Sequence, residues 1–400
     1  MIFTDKRGEL HSLKNIPFEA KEILISNTQK NTLKGLHASP YAKYIYVIEG
    51  KIYDFYYSDE KEYIEKILNK GEYIFVPPYS AHGYFSYETS SVLYLLEHNF
   101  DANIDKNIYY LSPELKFKYD FLENNNNLII SDKDDNAGYL FQYDYVVLGS
   151  NGYLGSNMCK YLNDNNKKYL PITTRLNDIT KLTEQIKKSK CKYVICAAGI
   201  SGKPTVEWCE THEKETFHIN YLDMLNLMQL CETLKVHLTI FGSGLVFDGK
   251  KEIYTEEDVP NLTNRVYTKL RCELENKLHL FPNTLYLRIL YPCTFDGHPK
   301  CFYTKTKSRA DNINDVKVPL TIVPYLFKYI PEIIESGTIG ILNFVNEGSV
   351  SLVKLLELSN IEYTINNSNN SNNYKLSTNL LESILHKKIE NVEEIIKTFI

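Results

Sequence analysis

The most distinctive motif in the chain is the glycine-rich segment Gly149-Ser-Asn-Gly-Tyr-Leu-Gly155. It follows the short apolar run Tyr145–Leu148, and a helical pattern begins at Tyr153. Glycines at such a turn let the backbone approach a pyrophosphate closely, and the helix N-terminus attracts phosphate charge. The segment therefore predicts a dinucleotide-binding loop. The residues expected in this loop are Gly149, Ser150, Asn151, Gly152, Tyr153, Leu154 and Gly155.

A basic residue follows the next apolar run, Pro171-Ile-Thr-Thr-Arg175. An acidic residue at this point would bind a ribose 2′-hydroxyl, whereas an arginine favours a 2′-phosphate. Arg175 therefore predicts NADPH as the cofactor, with NADH as the second possibility. An arginine that is simply exposed on the surface would give the same pattern.

Two hydroxyl-bearing residues stand where carbonyl chemistry could take place. Carbonyl reduction needs a proton donor at the oxygen and a second group that polarises the carbonyl. Ser243 comes directly after the apolar run His237–Phe241 and one glycine, and Tyr267 opens a helix-like segment. Both are candidate catalytic residues.

The elements around these residues alternate between strands and helices. Apolar runs at Tyr145–Leu148, Tyr193–Cys196 and His237–Phe241 are separated by helix-like segments such as Asp223–Leu234. This alternation predicts an α/β fold with a doubly wound parallel sheet of the Rossmann type.

The first 138 residues have a different character. They contain short β-rich runs broken by turn residues, and Glu49-Gly50 between two such runs indicates a hairpin. This pattern predicts an all-β sandwich or barrel. We therefore expect two domains, residues 1–138 and residues 142–400. Two asparagine-rich tracts, 124–127 and 366–373, are expected to be surface loops.

Composition excludes several classes of protein. The 400 residues are 43% hydrophobic and 24% charged with a net charge of −5, which excludes gross disorder and argues against a dedicated nucleic-acid binder. All eight cysteines lie after residue 158 and none forms a CxxC pair, as expected for reduced thiols. No run of 18 apolar residues and no apolar leader is visible, so we expect a cytoplasmic protein without a membrane span.

The second part resembles the extended short-chain dehydrogenase/reductase family. Its GxxGxxG spacing and the stretch from Ala197 to His212 are similar to the plant UDP-4-keto-6-deoxyglucose epimerase/reductase, and Val246-Phe-Asp-Gly249 is similar to dTDP-4-dehydrorhamnose reductase. The resemblance implies that Ser243 polarises the carbonyl and that Tyr267 donates the proton. The further residues that it implies in cofactor binding are Arg175, Asp178, Ile179, Ala197, Ala198, Gly199, Tyr267 and Arg271, with Lys305 at the substrate.

Two departures from the family pattern bear on activity. The motif Tyr-x-x-x-Lys reads Tyr267-Thr-Lys-Leu-Arg271 here. Arginine can bind ribose hydroxyls but cannot readily release a proton, so Arg271 substitutes electrostatically, Lys269 reaches in, or reduction is impaired. Relatives that also epimerise carry a cysteine two residues after the serine, where this chain has Leu245. Cys209 could stand in for that thiol, although a packed side chain is the simpler interpretation.

The first part resembles dTDP-4-dehydrorhamnose 3,5-epimerase, a cupin-fold family. The matching segments are Asp5-Lys-Arg7-Gly8, Lys34-Gly-Leu-His37, Ala81-His-Gly83, Tyr94 and Ser131-Asp-Lys-Asp134. The resemblance implies a cupin-type jelly roll and usually a homodimer through this domain.

It also implies roles for individual residues. His37 would be the base, because histidine titrates near neutral pH, and Asp134 would hold and polarise it. Lys43 would face the enolate oxygen, and Tyr94 would return the proton on the opposite face. The residues expected to contact the substrate are Arg7, Lys34 and His82. No metal site is expected, because Ser39 occupies the second position of the HxH pattern that metal-binding cupins use.

Together these features predict a bifunctional enzyme that epimerises an NDP-4-keto-6-deoxyhexose at C3, or at C3 and C5, and then reduces C4 with NADPH to an NDP-L-rhamnose-type sugar. The plant-like substrate half favours UDP over dTDP. A different substrate that fits the same motifs is a UDP-2-acetamido-2,6-dideoxy-hexulose, leading to L-rhamnosamine- or L-quinovosamine-type sugars. The motifs would also suit an epimerase with an inactive reductase module, or a non-enzymatic nucleotide-sensing scaffold. Nucleic acids and membranes are not expected partners.

Overall fold

The computed structural model describes residues 2–13, 16–123, 127–202, 205–366 and 374–400. The chain divides into two compact units, Met1–Gln142 and Tyr143–Ile400. Of the two asparagine-rich tracts expected to be loops, all but Asn127 and Asn366 lie outside the described residues. No helix of the described residues is long and apolar enough to cross a membrane.

Two antiparallel sheets form the first unit. Its strands are β1 (Ile2–Asp5), β2 (Gly8–His11), β3 (Glu22–Thr28), β4 (Thr32–Ala38), β5 (Lys43–Glu49), β6 (Lys51–Tyr57), β7 (Tyr63–Asn69), β8 (Tyr73–Val76), β9 (Ala81–Ser86), β10 (Ser90–Leu96) and β11 (Lys106–Asn107). One sheet has the order β3-β10-β5-β8 and the other β11-β4-β9-β6-β7. Two short helices follow, α1 (Asp120–Glu123) and α2 (Asp132–Asp135).

The strands of this unit are rich in β-branched and aromatic residues, which pack well on a pleated surface. Side chains from the inner faces of both sheets meet in a core that includes Ile45, Val47, Ile52 and Tyr84. Such packing of two antiparallel sheets confirms the expected cupin-type jelly roll.

The hairpin predicted at Glu49-Gly50 is wrong. Strand β5 pairs with β10 and β8, whereas β6 pairs with β7 and β9 in the other sheet. Gly50, at a φ of +90°, carries the chain from one sheet to the other. A side chain there would collide with Ser90, because a Cβ would lie 2.3 Å from its Oγ. The glycine marks a turn correctly, but a turn does not decide which strands pair.

The second unit is built on a parallel sheet. Its main strands are β12 (Tyr145–Leu148), β13 (Tyr169–Ile172), β14 (Tyr193–Cys196), β15 (His237–Phe241), β17 (Thr284–Arg288) and β19 (Gly340–Asn343). The shorter strands are β16 (Ile253–Tyr254), β18 (Lys317–Val318), β20 (Val350–Ser351) and β21 (Lys375–Leu376). The six main strands lie in the order β13-β12-β14-β15-β17-β19, which confirms the Rossmann-type α/β fold.

Helices connect the strands of this sheet. They are α3 (Tyr153–Asp164), α4 (Ile179–Ser189), α5 (Trp208–Thr211), α6 (Glu213–Phe217), α7 (Asp223–Leu234), α8 (Val266–Glu275), α9 (Phe302–Lys307), α10 (Val323–Leu326), α11 (Ile330–Glu335), α12 (Leu352–Leu358), α13 (Asn379–Leu385) and α14 (Val392–Ile396). The strand order reverses between β12 and β14, and the carboxyl ends of strands at such a point form a crevice for a ligand. The glycine-rich segment follows β12 directly, at this crevice.

Candidate functional site

A histidine–aspartate pair joins strand β4 to helix α2 in the first unit. His37 is on β4, Asp134 is on α2, and His37 Nε2 lies 2.7 Å from Asp134 Oδ1. The backbone N–H of Gly35 donates to the other carboxylate oxygen at 3.3 Å. Burial acts to raise the pKa of Asp134, but the hydrogen bonds from His37 and Gly35 outweigh it and the pKa is lowered. An ionised Asp134 accepts the Nε2 proton, which leaves Nδ1 of His37 as the basic nitrogen.

Local structure holds this pair in place. Ser131 caps the short helix α2, because its Oγ accepts a hydrogen bond from the backbone N–H of Asp134. The Asp134 side chain is 6% exposed and the His37 side chain 30% exposed. The carboxylate is therefore fixed in the interior, while the imidazole reaches solvent and a substrate could approach it.

A second histidine–aspartate pair lies on the neighbouring strands. His82 on β9 is the register partner of His37, and its Nε2 lies 2.9 Å from Asp54 Oδ2. Both side chains are buried, and Asp54 Oδ1 has no hydrogen-bond partner in the described part of the chain. Asp54 was not among the residues predicted from the sequence. The signal that could have identified it is a single carboxylate inside the apolar run of β6, since a buried charge needs a partner.

Lys43 and Tyr94 lie close to the same carboxylate. Burial lowers the pKa of Lys43, and the charges of Asp105 and Asp54 oppose that shift. Burial raises the pKa of Tyr94 well above its ordinary value, and the Tyr84 hydroxyl and Asp54 act in the same direction. Tyr94 is therefore a protonated hydroxyl that could act as an acid. Lys43 is a buried amine that interacts with the carboxylates of Asp105 and Asp54.

Two hydroxyl groups, of Ser26 and Tyr84, connect Lys34 to Tyr94. Its Nζ donates to Ser26 Oγ at 2.6 Å, and that hydroxyl lies 3.3 Å from the hydroxyl of Tyr84. Arg7 differs, because it is at the turn between β1 and β2 with its side chain 90% exposed and paired with Asp5. Among the described residues, the structure gives Arg7 no contact with the other predicted site residues.

The glycine-rich loop of the second unit forms a cradle. A Cβ on Gly149 would lie 2.8 Å from the backbone nitrogen of Ala198, and a Cβ on Gly155 would lie 2.1 Å from the carbonyl oxygen of Gly149. Gly152 caps α3, so the unpaired N–H groups of the first turn face the cradle. The loop residues Ser150, Asn151, Tyr153 and Leu154 stand between these glycines or open the helix. The free N–H groups, the room that the glycines leave beside the backbone and the N-terminus of α3 together suit the binding of a pyrophosphate.

A cleft of about 750 Å³ extends from the cradle. Its lining includes Arg175, Asn177, Ala198 and His212. Arg175 is exposed, and Asp178 caps α4 by accepting a hydrogen bond from the backbone N–H of Lys181 at 3.2 Å. Ile179 is the first residue of α4, while Ala197 and Gly199 flank Ala198 just after β14. Of the residues predicted to bind the cofactor, Arg175 and Ala198 therefore line this cleft.

Ser243, Tyr267 and Arg271 are buried side chains of the second unit. Ser243 follows β15, and Tyr267 and Arg271 lie one helical turn apart on α8. The Arg271 Cζ lies 5.3 Å from the centre of the Tyr267 ring, whereas Lys269 is exposed. Of the two basic residues considered for the lysine position, only Arg271 is beside the tyrosine.

Arg271 also contacts a residue that was not predicted from the sequence. Its Nη2 donates to Asn220 Oδ1 at 3.2 Å, and Asn220 bonds both backbone groups of Ile200. Burial acts to lower the pKa of Arg271, but the neighbouring hydroxyls of Tyr267 and Tyr286 outweigh it and the pKa is raised. Arg271 therefore remains a cation. Asn220 lies in a π-helical turn, His218–Leu222, which no sequence motif had indicated.

The position expected to carry an epimerising thiol holds Leu245, and Cys209 is the thiol considered as its replacement. Leu245 is a partly buried apolar side chain, and burial raises the pKa of the Cys209 thiol. Lys305 on α9 is half-buried, and burial together with the nearby cations Arg309 and Lys300 lowers its pKa. Three neighbouring cations favour an anionic ligand. Over the ranges that the structure describes, no cluster of three or more His, Cys, Asp or Glu side chains could hold a metal ion.

Comparison with known proteins matches the two units of the chain to two different families. Residues 2–142 match the family model of dTDP-4-dehydrorhamnose 3,5-epimerase, and residues 144–320 match that of the RmlD substrate binding domain. The bifunctional dTDP-4-dehydrorhamnose 3,5-epimerase/dTDP-4-dehydrorhamnose reductase of Arabidopsis thaliana is 29% identical over 233 residues, which is 56% of this chain and 77% of that protein.

Two further proteins are similar to part of the chain. A trifunctional UDP-glucose 4,6-dehydratase/UDP-4-keto-6-deoxy-D-glucose 3,5-epimerase/UDP-4-keto-L-rhamnose-reductase of Arabidopsis thaliana is 29% identical over 58% of this chain, which spans only 36% of that relative. The crystal structure of the L780 UDP-rhamnose synthase from Acanthamoeba polyphaga mimivirus covers 65% of this chain and 99% of its own, at a TM-score of 0.58 and 23% identity. At this identity the structural likeness concerns the fold alone.

Proposed function

We propose, from the resemblance of the first unit to dTDP-4-dehydrorhamnose 3,5-epimerase and of the second unit to dTDP-4-dehydrorhamnose reductase, that this chain is a bifunctional nucleotide-sugar enzyme. The observation that carries the proposal is the presence, in one chain, of a His37–Asp134 pair with a buried carboxylate and of a tyrosine and a cation beside a dinucleotide cradle. Each arrangement suits one of the two reactions.

The first unit would epimerise a 4-keto sugar. A proton on the carbon next to a ketone can be removed when a base is near and the enolate oxygen is stabilised. His37 would take the proton through Nδ1, and Lys43 would stabilise the enolate. Tyr94, which burial keeps protonated, would return a proton to the opposite face. We propose this reaction at C3, or at both C3 and C5.

The second unit would reduce the ketone. When bound, NADPH supplies the hydride that C4 accepts. The glycine cradle would bind the pyrophosphate, and Arg175 would bind the 2′-phosphate that distinguishes NADPH from NADH. Tyr267 would donate a proton to the C4 oxygen while Ser243 polarises it. Arg271, held in the interior by Asn220, would stabilise the tyrosinate that remains.

The order of the two reactions follows from their chemistry. Protons at C3 and C5 are labile only while the C4 ketone is present, because the ketone delocalises the carbanion. Reduction at C4 removes the ketone and fixes the configuration. Epimerisation followed by reduction would therefore yield an NDP-L-rhamnose-type sugar.

We propose a UDP-linked substrate, from the likeness of the second unit to the plant epimerase/reductase. The runner-up is a UDP-2-acetamido-2,6-dideoxy-hexulose, which would need the same groups at C3, C4 and C5. A second candidate function is an epimerase with a cofactor-binding but inactive second unit. It is favoured by one observation, the arginine at position 271.

Deuterium incorporation tests the two activities separately. The protein is incubated in D2O with UDP-4-keto-6-deoxyglucose, with and without NADPH, and the sugar is examined by NMR. We expect deuterium at C3 or C5 without NADPH, and oxidation of NADPH with formation of the L-configured 6-deoxy sugar when it is present. Absence of exchange would refute the epimerase, and exchange without NADPH oxidation would leave only the first activity. The dTDP-linked and 2-acetamido analogues, tested in parallel, identify the substrate.

A further inference from the structure

Tyr153 is the first residue of α3, beside the glycine cradle, yet its side chain is bonded to a distant part of the second unit. Its hydroxyl donates to the carbonyl oxygen of Pro292 at 3.2 Å and lies 3.0 Å from Thr294 Oγ1, which are 139 and 141 residues away along the chain. The residue is 7% exposed, and burial raises the pKa of Tyr153, so the hydroxyl keeps its proton. This buried hydroxyl is therefore committed to the chain around residue 293.

The contacts of Tyr153 form a closed ring of interactions. Thr294 Oγ1 donates to Asp296 Oδ1 at 2.5 Å, so Tyr153 is the donor toward Thr294. Burial acts to raise the pKa of Asp296, but the hydrogen bonds from Thr294 and from the backbone of His298 outweigh it and the pKa is lowered. The His298 ring in turn stacks on the Tyr153 ring, with centroids 4.6 Å apart and planes at 25°. Tyr153 thus holds both ends of the turn 294–298.

Residues 292–302, here called the anchored segment, close on the same carbonyl that Tyr153 reaches. The backbone N–H of Phe302, the first residue of α9, donates to the Pro292 oxygen at 3.1 Å. One turn into α9, the backbone N–H of Lys305 donates to the carbonyl of Cys301 at 3.1 Å. The Tyr153 hydroxyl therefore shares its acceptor with the start of the helix that carries Lys305.

We propose that Tyr153 is a positioning residue for the nucleotide sugar: its hydroxyl holds the anchored segment against the cofactor cradle and thereby fixes Lys305, the cation that would meet the substrate diphosphate. This inference rests on the proposed reductase function, in which Lys305 contacts the substrate. In this role the side chain of Tyr153 acts through the anchored segment alone, and only its backbone contributes to the cradle. One side chain then sets the separation between the bound sugar and the bound cofactor.

Steady-state kinetics with the pre-epimerised UDP-4-keto sugar test this role. Tyr153→Phe removes the hydroxyl and keeps the ring and the backbone of the loop. We expect KM for the sugar to rise about three- to tenfold, as for a lost hydrogen bond, while kcat and the NADPH Kd change less than about twofold. A loss of folded protein would instead lower kcat at an unchanged KM.

Thr294→Val removes the partner hydroxyl and completes a double-mutant cycle. It should also raise KM for the sugar. The double variant should raise KM no further than Tyr153→Phe alone, because both substitutions remove the same interaction.

Hydrogen exchange gives a readout that does not depend on turnover. In the protein without either ligand, the backbone amides of residues 294–301 should exchange about three- to tenfold faster in Tyr153→Phe, measured by mass spectrometry. Tyr161→Phe is the matched control, because Tyr161 is on the same helix and its hydroxyl donates to the backbone carbonyl of Lys328 at 3.1 Å. It should show wild-type KM and wild-type exchange in residues 294–301.

The possible outcomes separate this inference from the reductase itself. A wild-type KM or wild-type amide exchange in Tyr153→Phe would overturn the inference while the reductase stands. A loss of NADPH affinity as large as the rise in KM would also overturn it, since the hydroxyl would then serve the cofactor. If the wild-type protein oxidises no NADPH, the reductase proposal fails and this inference fails with it.

Discussion

Asp134 is buried and hydrogen-bonded to His37, so its contribution to the proposed reaction passes through His37. The substitution Asp134→Asn keeps the shape of the side chain but presents an amide to Nε2 and removes the charge that fixes the imidazole. We expect deuterium exchange at C3 or C5 to fall by roughly 10²–10⁴-fold, the usual contribution of a positioned general base.

Asp132→Asn is the control for that experiment. Asp132 belongs to the same helix and is exposed, whereas Asp134 is buried. The Asp132→Asn variant should catalyse deuterium exchange into the sugar at the wild-type rate. Equal rates for Asp134→Asn and wild type would show that the pair only supports the fold.

Arg175 should determine the preference between the two nicotinamide cofactors. It is exposed on the cleft that leads from the glycine cradle, where an added negative charge would repel a 2′-phosphate. We expect Arg175→Asp to weaken NADPH binding by about 10- to 100-fold, the equivalent of a charge-assisted hydrogen bond, and to leave NADH binding equal or tighter. Fluorescence titration with both cofactors measures the ratio of NADPH affinity to NADH affinity. The control Lys181→Ala, on the adjacent helix, should leave this ratio unchanged.

For individual residues, the sequence predicts those contacts that the geometry of a single helix determines. Tyr267 and Arg271 are four residues apart on a helix and so share a face, whereas Lys269, two residues along, lies on another. Asp54 and Asn220 could not be predicted because their partners come from distant parts of the chain. His82 is 28 residues from Asp54, and Arg271 is 51 residues from Asn220.

At the scale of elements, the closest backbone packing in the glycine loop is where the loop meets α3. A methyl group on Gly155 would overlap the carbonyl oxygen of Gly149, which is backbone and cannot rotate away. Gly155→Ala should therefore widen the cradle. We expect NADPH affinity to fall by about 5- to 150-fold, because overpacking of this kind costs about 1–3 kcal/mol.

The control is Ser156→Ala, one residue further on the same helix, where the side chain donates a hydrogen bond to the carbonyl of Tyr153. Deuterium exchange by the first unit should be unaffected in both variants. Wild-type NADPH affinity in Gly155→Ala would mean that the phosphates are bound elsewhere.

A buried ion pair joins two elements of the second unit. Arg288 on β17 donates through Nε to Glu275 on α8 at 3.1 Å, and its Nη2 contacts the other carboxylate oxygen. Both side chains are at most 1% exposed, so removal of one charge leaves the other without compensation. We expect Glu275→Gln to lower the free energy of unfolding of the second unit by about 3–5 kcal/mol, measured by urea titration.

An exposed pair provides the comparison. Lys397 and Glu394 lie 2.7 Å apart with side chains about half to two-thirds exposed. Glu394→Gln should cost less than about 1 kcal/mol. A similar small loss for Glu275→Gln would show that the carboxyl is already neutral in the folded protein.

The sequence predicted the positions of strands better than it predicted which strands pair with each other. The runs Tyr145–Leu148, Tyr193–Cys196 and His237–Phe241 are strands as expected, because fully buried parallel strands are apolar throughout. The pairing at Glu49-Gly50 was wrong, because the same apolar alternation suits either sheet of a sandwich. Which sheet a strand joins depends on neighbours such as β10 that lie about 40 residues away along the chain.

At the scale of the whole molecule, the eight cysteines found only after residue 158 all belong to the second unit. Relatives that the second unit resembles and that also epimerise have a thiol where this chain has Leu245. Its absence here agrees with the proposed epimerase in the first unit, for which we propose His37 as the base. The proposed activities should then reside in different units and be separable by single substitutions.

Mixing two variants that each lack one activity tests that separation. His37→Ala should lose deuterium exchange but still oxidise NADPH with the pre-epimerised ketone, and Tyr267→Phe should do the reverse. Alone, neither should convert UDP-4-keto-6-deoxyglucose to the L-configured product. Together they should, because the epimerised ketone made by one variant is released, binds the other and is fixed there by reduction. NMR of the product in the mixture, with each variant alone as control, measures this. If no L-configured product forms although each variant keeps its single activity, the intermediate is not released and both sites must act within one chain.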